Sequence, residues 1–395
     1  MSQRHTAQLG AALALLGSAI AIPAHAATLS VGPGKTYTAP CKAFAVAKAG
    51  DRIEIAGNTT YRGDVCAIKQ SKLTIVGVNG RPKIDAGGKN ALGKGIWVVQ
   101  GNEIVIENVE MFGSKVPDKN GAALRLEGTN FTLRKAFIHD NENGILSGVK
   151  TDSKIVIENS EFGHNGNGTG QTHNVYIGSA GSLMFRFNFS HDADGGHNLK
   201  SRALVNTIAY NRFSSTVPGQ TGTTATGKPS YEIDLPNAGT SYIIGNVIHQ
   251  PAAHSNSNLV AYGMESAANP SHALYVVNNT FLNDDSARGT FVLIGTKVTT
   301  KALLQNNIFS GTGAVTNQVG AVEKTNYRSV APGFVNRAAW DLRPTANALV
   351  INAGSAPPTV NGMSLKPAYV YKHSATSATR PVVKTIDVGA YESAL

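Results

Sequence analysis

Eight short β-rich runs recur along this chain, and each ends near a large apolar residue. Examples are IVIENVEMFG from Ile104, FTLRKAFIHDN from Phe131, IVIENSEFGHN from Ile155 and LMFRFNFSHDA from Leu183. Aligned, the apolar residues are Met111, Phe137, Phe162, Phe189, Phe213, Ile248, Phe281 and Phe309, with 24 to 35 residues from one to the next. That spacing leaves no room for a helical crossover, and the intervening Gly/Asn/Ser-rich segments lack a 3.6-residue apolar period. Each unit must therefore turn and stack on the one before it. The predicted fold is all-β, a single-domain parallel β-helix with coils about 4.8 Å apart. Asn211, Asn246, Asn279 and Asn307 each fall two places before an aligned apolar residue, which predicts an internal asparagine ladder. Asn108 and Asn159 sit one place earlier, so a register change is expected in the early coils. A β-sandwich or propeller would need frequent two-residue hairpin signals, which are scarce here.

Residues 1–26 read as a secretory signal peptide: Arg4, a short apolar run, then Ala24-His25-Ala26 before Ala27. The run is too short to span a membrane, so a secreted or periplasmic protein without a membrane span is expected. Residues 27–100 form an N-terminal cap with the first coils, residues 101–315 the main coils, and residues 316–395 a C-terminal cap closing over the other end. PCKAFAVAKAGDRIEI from Pro40 reads as a short amphipathic helix entering a strand. The two cysteines, Cys41 and Cys66, are expected to form a disulfide in an exported chain. The net charge of +10 drops by one when Arg4 leaves. That balance favours an acidic partner, and export favours an acidic polysaccharide over nucleic acid. A monomer is expected.

Each coil has a second strand, and the alternation in HNVYIG, HNLKSR and SYEIDLP is plain. Val175, Ile177, Leu199, Ser201, Tyr231 and Ile233 are expected to point inward. Tyr176, Lys200 and Glu232 form one outward row, with Gly178, Arg202 and Asp234 in the next. This pairs Lys200 with Glu232 and Arg202 with Asp234, and Gly178 leaves room for a ligand. His173 and His197 occupy one equivalent position, and SHDADGGH adds His191, Asp192 and Asp194 on the turn before. Tyr262 and Glu265, one coil on, extend the groove. His139 and His164 repeat the position of His191 in earlier coils, so packing explains that histidine as well as binding does. Surface ion pairs of this kind are ordinary and worth about 0.2–1 kcal/mol each. Their concentration in three consecutive coils, in a chain only 15% charged, points to a site.

The coil pattern resembles the pectate-lyase-like family of right-handed parallel β-helices. LKSRALVNTIAYNRF from Leu199 is similar to the KS…N…N.F stretch of alginate-lyase- and chondroitinase-B-like polysaccharide lyases. That resemblance implies that Lys200 is the base that removes the proton α to a uronate carboxylate. In the family an arginine on the following coil serves as acid or charge clamp. The following coil here, SYEIDLPNAG, has none, and Arg202 is the nearest candidate. The family's calcium-holding acidic residues are not matched by SHDADGGHN, so calcium is an open expectation.

Uronate β-elimination needs a cation on the carboxylate, a base for the C5 proton and an acid for the leaving oxygen. Arg202 suits the first role, Lys200 the second, and Tyr176 or His197 the third. His173, His191, Glu232, Asp234 and Tyr262 would then bind substrate. A glycoside hydrolase using Glu232 and Asp234 is the alternative enzyme. A non-catalytic glycan-binding β-helix is the alternative outside enzymology.

Overall fold

The computed structural model describes residues 1, 26–215, 228–252, 254–285, 289–381 and 384–393. The expected signal peptide therefore lies almost wholly outside the described residues. Three long parallel sheets of 12, 11 and 10 strands wrap one core. We call them sheets I, II and III, in the order in which each coil visits them. One coil runs Ala180–Arg186 in sheet I, Phe189–His191 in sheet II and Leu199–Ser201 in sheet III. Val205–Ala209 then starts the next coil. The chain is a parallel β-helix, as the repeats predict.

The turn from sheet I to sheet II shows how the sequence shapes a coil. The first turn residue is left-handed in each coil: Asn108 (φ 56°), Asn159 (φ 51°), Tyr210 (φ 57°), Asn278 (φ 53°) and Asn306 (φ 57°) are examples. Asparagine tolerates this conformation because its short polar side chain bonds locally. The next residue points into the core and carries the ladder. Asn211 donates to Asn246 at 2.9 Å, Asn246 to Asn279 at 3.0 Å and Asn279 to Asn307 at 3.0 Å, all through Nδ2 to Oδ1. These amides are fully buried. Each bond offsets the cost of sinking a polar group. Asn108 and Asn159 are thus not early members in a shifted register. They fill the left-handed position, and the ladder begins with Ser160 and Asn188.

Two members of the expected apolar stack are corrected by one place. Ile138, not Phe137, lies opposite Met111, and Ser190, not Phe189, lies opposite Phe162. Sheet II strands here are three residues long and carry a phenylalanine on the outer face, so alternation cannot choose the register. Ser190 is buried inside and donates to the Asn198 carbonyl at 2.8 Å.

The N-terminal helix is a single turn, Pro40–Phe44, which buries Pro40, Ala43 and Phe44. Phe44 meets Trp97 edge-on, and Cys41 is disulfide-bonded to Cys66. At the other end, coils continue to Tyr327–Ser329. The segment beyond does not simply close the end, as expected. It runs back along the side of the solenoid, where Leu342 and Ala390 pack on Val247 and Leu282, and Tyr371 packs on Phe189. The Ala375 carbonyl accepts from Asn159 Nδ2 at 3.1 Å. Phe189, Val247, Leu282 and Ile308 give sheet II an apolar exterior that needs cover. None of the apolar clusters built by the described C-terminal segment includes a sheet III residue. Among the described residues, no helix is long and apolar enough to cross a membrane.

Candidate active site on the outer face of sheet III

Sheet III aligns Arg125, Leu146, Tyr176, Lys200, Asp234 and Ala261 in one outward row. Leu199, Ile233, Val175 and Ile177 face inward and are fully buried. Lys200 therefore pairs with Asp234, not Glu232. The expected register was off by two, and a slip of two keeps every side chain on its own face. The inward match of Leu199 with Ile233 decides it.

Lys200 Nζ bonds the Asp234 carboxylate at 3.1 Å and Glu265 Oε1 at 2.6 Å. Burial pushes the Lys200 ammonium down, but Asp234 and Glu265 outweigh it and hold the proton more tightly than usual. Burial raises Asp234 to about 6, with Lys200 pulling it back. At neutral pH the two form an ion pair. Arg202, two residues on, meets neither Asp234 nor Glu232. Its Nε donates to the Tyr176 hydroxyl at 2.8 Å, its Nη1 to Asn237 Oδ1 at 2.5 Å, and its Nη2 to Glu265 Oε2. Both cations lie over the Tyr176 ring, at 5.7 and 5.8 Å from its centre. The Tyr176 oxygen accepts from Arg202, which leaves its own proton available to a ligand.

Three other expected members sit elsewhere. Glu232 is fully buried at the corner between sheets II and III, where Asn198 Nδ2 donates to its Oε2 at 2.5 Å. Burial raises it to about 8, so it carries a proton at neutral pH. It ends a second internal ladder, Asn141–Asn165–Asn174–Asn198, linked by bonds of 2.8–3.0 Å. Tyr262 lies in the main core with its hydroxyl on the Gly239 carbonyl at 2.6 Å. It lines no groove. Gly178 makes no room for a ligand, because a Cβ there would lie 2.5 Å from the Gly148 carbonyl oxygen in the preceding coil.

His173 and His197 stack face to face, 4.7 Å apart and nearly buried. In each, Nδ1 accepts a main-chain N–H at 3.0 Å, from His197 and Tyr231 respectively. That fixes the Nε2–H tautomer. His197 Nε2 then faces Asp234 at 3.3 Å. Burial holds His173 down to about 3 and His197 well below the usual range. Neither ring nitrogen of His197 is free for a substrate proton, so His197 positions Asp234. Tyr231, expected inward, is half-buried and stacks on His197 at 5.1 Å.

His191 belongs to sheet II, around the corner from Lys200. Its Nδ1 meets Asp192 at 2.7 Å and its Nε2 meets Glu161 at 3.3 Å. His139 repeats the arrangement with Asp140 and Glu110. The repetition marks an architectural device of the sheet II exterior. His164, His191 and Asp192 bring ligand atoms within 4.8 Å of one another. Two imidazoles and one carboxylate suit a softer metal than calcium, which takes six to eight oxygens. The carboxylates of sheet III are engaged by Lys200 and Arg202. These residues do not fit calcium, and no step below involves it.

Glu265, expected only to extend a groove, bridges both cations, and Asn237, which the sequence does not signal, holds Arg202. Both lie in loops after sheet III strands, and Glu265 reaches Lys200 across an intervening coil. The Asn198 ladder did leave a signal, in the repeated His-Asn of residues 173–174 and 197–198.

No family model and no curated protein matches this sequence. Among solved structures, the chain is similar to pectate lyase Pel9A, with a TM-score of 0.65 and 16% identity over 93% of this chain and 96% of that one. An alginate lyase from Paenibacillus sp. str. FPU-7 gives a TM-score of 0.48 and 15% identity over 76% of this chain and 99% of that one. The fold is that of the pectate-lyase-like right-handed parallel β-helices.

Proposed function

We propose that this chain is an exported enzyme that cleaves an acidic, uronate-containing polysaccharide by β-elimination at the outer face of sheet III. The observation that carries the reading is the gathering of two cations around one phenol ring. Arg202 bonds the Tyr176 hydroxyl, and Lys200 lies over the same ring from the next coil. In this reading the Arg202 fork grips the uronate carboxylate and acidifies the C5 proton. Lys200, once neutral, takes that proton. The C5–H electrons form the C4–C5 double bond as the C4–O bond breaks. Tyr176 then protonates the leaving oxygen, and Arg202 steadies the phenolate that remains. Lys200 starts as an ammonium, so it must lose a proton before it can act. The leader pattern and the Cys41–Cys66 disulfide support export.

The two-carboxylate hydrolase has less support, because Glu232 is buried and protonated away from the wall. The test is a panel of acidic and neutral polysaccharides, followed by ultraviolet absorbance and by reducing ends. Unsaturated products from a polyuronate support the reading. New reducing ends without that absorbance indicate hydrolysis, and binding without turnover indicates a glycan-binding protein. Either result overturns it.

A further inference from the structure

Resting on the lyase reading, we propose that Glu265 is a built-in stand-in for the substrate's carboxylate. It bridges Lys200 and Arg202 in the resting protein and yields only to a free uronate carboxylate. The two cations thus select non-esterified acidic sugars, and Glu265 competes with the substrate for them.

The geometry of the bridge is that of a bound carboxylate. One oxygen, Oε1, takes Lys200 Nζ at 2.6 Å, and the other, Oε2, takes Arg202 Nη2. The remaining polar edges of Arg202 are committed: Nε to Tyr176 and Nη1 to Asn237. The Nη2 side is therefore where an incoming carboxylate can dock, and Glu265 already holds it. A two-oxygen anion fits there, whereas a methyl ester or an alcohol brings no charge to replace the one displaced.

The two carboxylates on Lys200 differ in how firmly they are held. The Asp234 side chain is 3% exposed, sits on a strand and is backed by His197. The Glu265 side chain is 47% exposed and starts from the loop after Val260–Tyr262. Lys200 and Glu265 belong to coils two apart, roughly 10 Å along the solenoid. Glu265 reaches back past the strand that carries Asp234 to meet Lys200. The incoming carboxylate takes over the place of Glu265 on Lys200 and Arg202.

The test uses galacturonate and mannuronate monosaccharides, their methyl esters, and galactose. The monosaccharides have no glycosidic bond at C4 and bind without turnover. Calorimetric titration compares the full chain with Glu265→Gln and Glu265→Asp, each checked for an unchanged melting curve. Glu265→Gln removes the charge, and Glu265→Asp keeps the charge but shortens the reach. Both should bind a free uronate at least about fivefold tighter than the parent, with the esters and galactose unchanged. Equal or weaker uronate binding by Glu265→Gln overturns the proposal, and so does parent-like binding by Glu265→Asp. If the parent cleaves a polyuronate while the variants gain no affinity, the stand-in role fails and the lyase reading survives. If no form binds a uronate or cleaves a polyuronate, both fall.

Discussion

Lys200 and Asp234 face each other across adjacent coils of sheet III, with Nζ 3.1 Å from the carboxylate and both side chains less than a tenth exposed. The register that pairs Leu199 with Ile233 in the core places them so. A packing decision inside the solenoid thereby sets the charge state of the group proposed to act outside it.

Asp234→Asn should therefore act on stability and chemistry together. It leaves a buried ammonium with only the half-exposed Glu265. Breaking such a pair costs roughly 3 kcal/mol, to be read by chemical denaturation at neutral pH. An unchanged midpoint would show that the pair contributes nothing.

The pH–rate profile should have a rising alkaline limb. Burial favours neutral Lys200, but Asp234 and Glu265 together raise its proton affinity. kcat/KM on a polyuronate should therefore climb between about pH 7 and 10 as the free amine forms. Asp234→Asn should move that limb to lower pH. A profile flat across the range would exclude a lysine base.

Glu232→Gln should leave turnover near the parent value and change stability progressively as pH rises above the usual carboxyl range. The Glu232 carboxyl is raised by burial to about 8. Its neutral form therefore contributes stability that is fully present below the unfolded pKa and is lost as pH rises through about 8. Denaturation midpoints should coincide with the parent only below the ordinary carboxyl pKa and diverge as pH rises from there. At pH 9 the variant should be more stable by about 1 kcal/mol or more. Loss of turnover would restore Glu232 to the chemistry.

The histidines of sheet II give a second pH signature. Burial alone would lower His139 and His191, but Asp140 with Glu110, and Asp192 with Glu161, reverse this and raise both. Their contribution is present below the usual histidine pKa and is lost as pH rises through the raised folded values. Glu161→Gln and Glu110→Gln should flatten the decline in melting temperature above neutral pH. A parent curve with no such decline would contradict the charged state of these rings.

Much of the architecture could be read from the chain, and the misses share a cause. The ladder from Asn211 to Asn307 was legible because polar residues recur at one spacing beside apolar ones. Lys200, Arg202 and Tyr176 were legible because period-two alternation sorts faces. The pairing of Lys200 with Glu232 failed because alternation cannot see a slip of two. Glu232 and Tyr262 were misplaced because an acid or a phenol in a strand does not announce its burial. Glu265 lies in a loop 63 residues beyond Arg202, and only the folded coils bring the two together.

The central claim is that Lys200 performs the chemistry on the outer face of sheet III. It is tested most directly by comparing the parent with Lys200→Met on a polyuronate that the parent cleaves, following unsaturated product by ultraviolet absorbance and glycan affinity by titration. The account predicts a loss of turnover of at least about 10²-fold, in a protein that still melts cooperatively, at a temperature lowered by loss of the pair with Asp234, and that still binds glycan through Arg202. Turnover by Lys200→Met at the parent rate would contradict it.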